Sequence, residues 1–161
     1  MKKFLTLPNI LKCLAAVLGI VAFVFAFVGD HLVVKSGNTA AYLPAANALF
    51  GGKVTLLIIT ATYNGAVLSF IGYLLAGVAA LLTGANLFVT SKTANKVLPL
   101  LNAALFIVAG VFIILEASLF NSANELKDNW QLGLTAMPIL AAVFAWLGGL
   151  LNCGAAFLTK K

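Results

Sequence analysis

The sequence predicts an all-α membrane protein, a four-transmembrane-helix bundle with a small β element in the first extracytoplasmic loop. Three observations predict it. Of 161 residues, 63% are hydrophobic and 9% charged, with a mean hydropathy of +1.10, whereas about a quarter of the residues of a soluble domain are charged. The apolar residues gather in long runs, and because each spanning helix needs about 20 of them, four spans with their connections use nearly the whole chain. The lysines are distributed unequally around those runs, as orientation in a membrane requires.

Charge-free stretches at 13–29, 54–91, 97–115 and 129–159 place helices at about 10–28, 65–89, 97–119 and 134–158, in a single membrane domain covering 1–161. The first stretch ends Phe25-Ala26-Phe27-Val28-Gly29-Asp30 without a small-x-small cleavage pattern, so it reads as a retained signal anchor. The second is too long for one span, since a helix through 54–91 would reach roughly 55 Å across a core of about 30 Å. Asn64-Gly65 is the natural break, and the β-branched segment 54–63 before it suits a strand. Pro8, Pro99 and Pro138 fall near helix starts, after Thr6, Asn95 and Thr135 as candidate caps, and Pro44 is placed to open a short helix up to Phe50. A weak echo between 81–85 and 150–155 hints at two related hairpins.

With the N-terminus inside, the cytoplasmic face holds Lys2, Lys3, Lys12, Lys92, Lys96, Lys160 and Lys161 and no acid. The outer face holds Lys35, Lys53 and Lys127 with all four acids, Asp30, Glu116, Glu125 and Asp128. This positive-inside bias predicts a multi-pass protein of the cell membrane with both termini cytoplasmic. The formal charge of +6 is spread between apolar runs and forms no stripe for nucleic acid. Cys13 and Cys153 fall near the cytoplasmic face, where thiols stay reduced.

The first outer loop, 29–64, offers strands at 32–34 and 54–63, with Lys35-Ser36-Gly37-Asn38 and Gly51-Gly52 as punctuation, and the two strands can pair antiparallel. Its apolar content calls for packing on the helix ends, an interfacial position or a partner.

Two small-residue ladders stand out: Gly72, Ala76, Ala80 and Gly84 in the second helix, and Ala141, Ala145, Gly149 and Cys153 in the fourth. Small residues let backbones approach where lipid is as apolar as the side chains, so the ladders serve packing within the bundle or a lateral subunit interface. Asn86, Asn102 and Asn152 lie at similar depth near the cytoplasmic ends, within reach of one another and of Thr83. They read as interhelical glue, or as a polar pocket if all three face one cavity. Glu116 is the only acid inside a predicted span, three residues from its outer end, where water, His31 or Lys127 could satisfy it, or where it could act as a proton- or cation-coupling carboxylate. Asp30 and His31 lie close enough in topology to join it. Trp130 and Tyr63 read as interfacial anchors, Trp146 as packing or lipid contact, and Phe23, Phe25 and Phe27 as pointing to different faces.

The missing residues exclude more. One histidine at a helix end rules out a bis-His haem, no Cys-x-x-Cys supports thiol exchange, and the lack of Arg removes bidentate phosphate recognition. No metal or cofactor motif occurs, and an enzyme would need Glu116, His31 and Asp30 to converge.

The layout resembles that of claudin-like four-span membrane proteins: cytoplasmic termini, a long β-rich first outer loop, a short inner turn and a shorter second outer loop. The resemblance implies adhesion, barrier formation or chaperoning of another membrane protein. Residues 29–64 contain neither Trp nor Cys, so the family's first-loop signature is absent and no family site residue carries over. The function expected is that of a non-enzymatic membrane accessory or scaffold protein, associating laterally with itself or with other membrane subunits and using the outer loop for recognition. The alternative is a small oligomeric transporter or channel using Glu116 and the Asn86/Asn102/Asn152 layer.

Overall fold

The computed structural model describes residues 6–57, 59–126 and 130–159. Lys2, Lys3, Lys127, Asp128, Lys160 and Lys161, on which the charge reading draws, lie outside them.

Each apolar run forms a helix long and apolar enough to cross a membrane: α1 (Leu7–Val24), α3 (Val67–Ala85), α4 (Ala94–Ile114) and α6 (Ala136–Leu158). α1 and α3 each finish in a 3-10 turn, Phe25–Phe27 and Asn86–Phe88. The helices run up and down in a ring, with α1 and α4 each packed between α3 and α6. One end of the ring carries the strands; the other, the base, holds the starts of α1 and α4 and the ends of α3 and α6.

The core between the helices is built largely from alanines, with Leu49, Tyr73, Phe106 and Ile113 as its large buried side chains. Phe106 is fully buried in it, its ring close to Gly19 of α1 and Gly148 of α6. Glycine makes the space: a Cβ at Gly19 would stand 2.5 Å from Phe106 Cε1 and 2.8 Å from Ala80 Cβ. Trp146 lies against Gly110 and donates its indole N–H to the Ile107 carbonyl at 3.3 Å.

The helix starts differ from expectation. Pro99 is the sixth residue of α4, which begins earlier than predicted, and none of Thr6, Asn95 or Thr135 makes a side-chain cap bond. The third helix stops at Ile114, and Leu115 (φ −82°, ψ 1°) turns the chain into a separate helix, α5 (Glu116–Asn124). Phe23 and Phe27, one helical turn apart, meet edge to face at 5.4 Å, and Phe27 touches Phe70 in the same way at 6.3 Å.

The region 29–64 is a folded cap. β1 (Asp30–Ser36) and β2 (Thr39–Pro44) form a hairpin around Gly37, whose φ of 57° suits a tight turn, and α2 (Ala45–Phe50) follows Pro44 as expected. β3 (Gly51–Leu56) and β4 (Ile59–Asn64) form a second hairpin. The single strand expected over 54–63 is therefore two strands, turning at Leu57, which takes φ 57° without any Gly or Asn to announce it. The expected pairing of 32–34 with 54–63 does not occur either. β1 pairs with β2 on one side and, on the other, with β5 (Gln131–Leu134), a strand from the second connection too short to stand out in the sequence. Leu32, Val34, Leu43, Ala48, Leu56 and Phe120 make the cap's own core, while Leu49 of α2 joins the helix core beneath. Tyr63 is buried in the cap with its ring 6.1 Å from Phe120, and Trp130 packs on the same cluster, so both serve the cap core rather than standing as anchors on its outside.

Candidate functional site

Beneath the cap, three elements bring together one of each polar ring or acid the chain can spare. β1 begins after Gly29, whose φ of 73° admits the sharp exit from α1. Its register with β2 slips between Asp30 and Leu32, so that His31 is the extra residue of a bulge. A bulge re-aims side chains, and here His31 and Leu32 are consecutive yet both buried. Thr135 holds the bulge from the second connection: its N–H donates to the His31 carbonyl at 2.9 Å and its hydroxyl to the Asp30 carbonyl. The break at Leu115 puts Glu116 in the first turn of α5, where the helix dipole favours a negative charge. Tyr73 reaches the same point from the second turn of α3.

His31, Glu116 and Tyr73 are each 0% exposed. His31 Nδ1 lies 2.9 Å from Glu116 Oε1, and the Tyr73 hydroxyl donates to Glu116 Oε2 at 3.1 Å. On the far side of the imidazole, Nε2 lies 2.7 Å from the Phe25 carbonyl, which can only accept, so Nε2 carries a hydrogen. The pair then holds one further proton between Nδ1 and Oε1. With the proton on nitrogen it is an ion pair; with the proton on oxygen it is neutral; both forms have no net charge and satisfy the same bonds. This arrangement resolves how Glu116 is satisfied: by His31 and Tyr73. Asp30 does not join them, its side chain being exposed, and among the described residues no three His, Cys, Asp or Glu are grouped for a metal.

A second polar layer lies toward the base. Asn102 and Asn152 both donate to the Thr83 hydroxyl, at 3.1 and 3.2 Å, and Thr83 donates to the Ala79 carbonyl at 2.7 Å. Asn86 stands apart. It is 1% exposed, neither amide atom has a partner, and it lines a cleft of about 450 Å³ together with Asn102, Leu82 and Leu101. Two of the three asparagines thus meet on Thr83, and a different two share a cavity.

The small-residue ladders face inward. Gly72, Ala76, Ala80, Ala141, Ala145 and Gly149 are buried among the chain's own helices; a Cβ at Gly72 would meet Phe112 at 2.8 Å, and one at Gly149 the Ala103 carbonyl at 3.2 Å. Gly84 is half-buried with open space beside it, and Cys153 is half-buried and, like Cys13, free.

Two residues gain a significance that sequence reading did not assign. Tyr73 sits within an apolar run directly after Gly72, and a phenol there needs a partner for its hydroxyl. Lys12, counted for orientation, is 1% exposed at the base, where its ammonium donates to Asn95 Oδ1 at 2.8 Å. Its place within the helical pattern four residues after Pro8 was the available signal. No protein-family model, curated protein or solved structure matches this chain.

Proposed function

We propose that the chain is a non-enzymatic, multi-pass protein of the cell membrane with cytoplasmic termini, which presents its β cap outside as a recognition surface and associates laterally with itself or with a larger membrane complex. The cap carries this reading. It is a preformed platform rather than a loop, anchored on the bundle by the sealed His31–Glu116–Tyr73 cluster, with β2 and β5 as sheet edges and Tyr42 of β2 60% exposed. A sheet edge offers main-chain groups to a partner, and an exposed tyrosine offers contact area at low entropic cost. The claudin-like layout supports the same reading and adds adhesion, barrier formation or chaperoning as its forms. Because the ladders are filled by the chain's own helices, lateral association falls to the outward aliphatic faces, such as Val78, Leu81 and Leu150.

The test joins topology to assembly. In a Cys13→Ser, Cys153→Ser background, Tyr42→Cys should react with a membrane-impermeant maleimide on intact cells, whereas Cys13 retained alone should not. Protein extracted in mild detergent should have a native mass above that of one chain, and Tyr42→Arg should lower the yield of the larger species. A lone chain, or a Tyr42→Cys thiol reached only after lysis, would refute the reading. The transporter alternative draws on Asn86 and its cleft; it requires reconstituted flux that Asn86→Leu abolishes.

A further inference from the structure

At the base, between the start of α1, the turn after α3 and the end of α6, lies a cavity of about 870 Å³. Its wall is of two kinds. Lys12, Asn95, Thr90 and Thr159 supply polar groups, while Leu87 and Leu158 supply apolar surface. Lys12 is the one charged side chain among the described residues lining it. An ammonium has three hydrogens to donate, and the only partner of Lys12 among the described residues is the neutral Asn95 amide, itself held by donating Nδ2–H to the Val89 carbonyl at 2.6 Å. No side-chain carboxylate is placed to neutralise it: the sequence has no acid before Asp30, none between His31 and Leu115, and none after Asp128. Asp30, Glu116 and Glu125 stand at the opposite end of the bundle.

A cation drawn into an apolar helix without a counter-ion is costly, and such residues mark binding sites by default. The geometry points to a phosphate-binding site here, with Lys12 as the cation and the phosphate of a glycerophospholipid headgroup as its occupant. The inference rests on the membrane reading of the four helices. Three observations favour the lipid over a free anion. Lys12 lies about 8 Å along α1 from its start, the depth at which headgroups meet acyl chains. The apolar part of the wall suits chains or glycerol and repels a hydrated ion. Val89 lines both this cavity and the adjoining apolar cleft of about 450 Å³ between α3 and α4, giving a chain somewhere to continue.

The experiment is native mass spectrometry of the full chain released from bilayers of phosphatidylglycerol. Wild type, Lys12→Arg and Lys35→Met, the last altering an exposed lysine on β1, should each retain one lipid per chain. Lys12→Met, which removes a buried charge and so does not threaten folding, should retain about tenfold less, the scale of one lost charge-assisted contact. Thr90→Trp, which narrows the cavity from its exposed wall, should weaken retention with Lys12 in place. Equal retention by wild type and Lys12→Met overturns the site. If lipid-free protein instead binds inorganic phosphate through Lys12 while retaining no lipid, the phospholipid as occupant is overturned. Alkaline carbonate extraction keeps the two readings separate: wild type leaving the membrane fraction defeats the membrane reading, whatever Lys12 does.

Discussion

The two ends of the bundle handle buried charge in opposite ways. At the sheet end, Glu116 is matched by His31 and Tyr73, every bond is made within the chain, and nothing is left to offer. At the base, among the described residues, Lys12 has one amide for company and the Asn86 side chain has no partner, and each borders a cavity. A matched pair in a sealed site fixes structure; an unmatched group beside a cavity leaves interaction energy for something else. The difference separates the part of the molecule that holds its shape from the part that is free to bind.

The largest break in that contrast should come from the sealed end. Glu116→Leu leaves His31 buried without its acid and should cost about 3–5 kcal/mol of stability. Thermal unfolding in detergent checks it, and the His31→Leu, Glu116→Leu double variant should lose clearly less than the two single losses combined. Next is Thr83→Val, which keeps the shape but removes the hydroxyl that accepts from both Asn102 and Asn152, at a cost of about 1–3 kcal/mol by the same assay. A smaller effect follows at the cap's edge. Asn124 accepts from the Asn64 N–H at 2.6 Å and donates to its carbonyl at 2.8 Å, tying α5 to β4, so Asn124→Ala should cost about 1 kcal/mol. Hydrogen exchange should localise that loss to 59–64 and 116–124, leaving the helices protected. The smallest should come from the base: Lys12→Met and Asn86→Leu should leave the melting temperature unchanged or raise it. A large loss from either would mean that the base, too, holds the fold together.

The four long apolar helices were legible because a bilayer demands a length and apolarity that few other structures share, and these helices meet both. Pro44 and the short helix behind it were legible from local chemistry. The break after Ile114 was not, since Ile113-Ile114-Leu115 continues the apolar run and no Gly or Pro marks the turn. His31 and Glu116 drew notice as the lone histidine and the lone acid within a span. Their pairing, across 85 residues, depends on a bulge that no propensity marks. The second hairpin was missed for a related reason: β-branched residues signal strand on both sides of Leu57, and nothing at the turn signals a reversal. Lys12 shows a different limit. Its charge was legible and was assigned to orientation, but burial is a property of packing and cannot be read from one helix alone.

The pairing of β1 with β5 sets an order on how the protein is made. Val34 meets Leu132, and Thr135 closes over His31, so residues emerging early in synthesis wait for residues emerging late. Until residues 131–135 are in place, the first hairpin stands with one side of β1 bare and the bulge without its bonds to Thr135. In the finished molecule β1 is paired on both sides, and the sheet's free edges are β2 and β5.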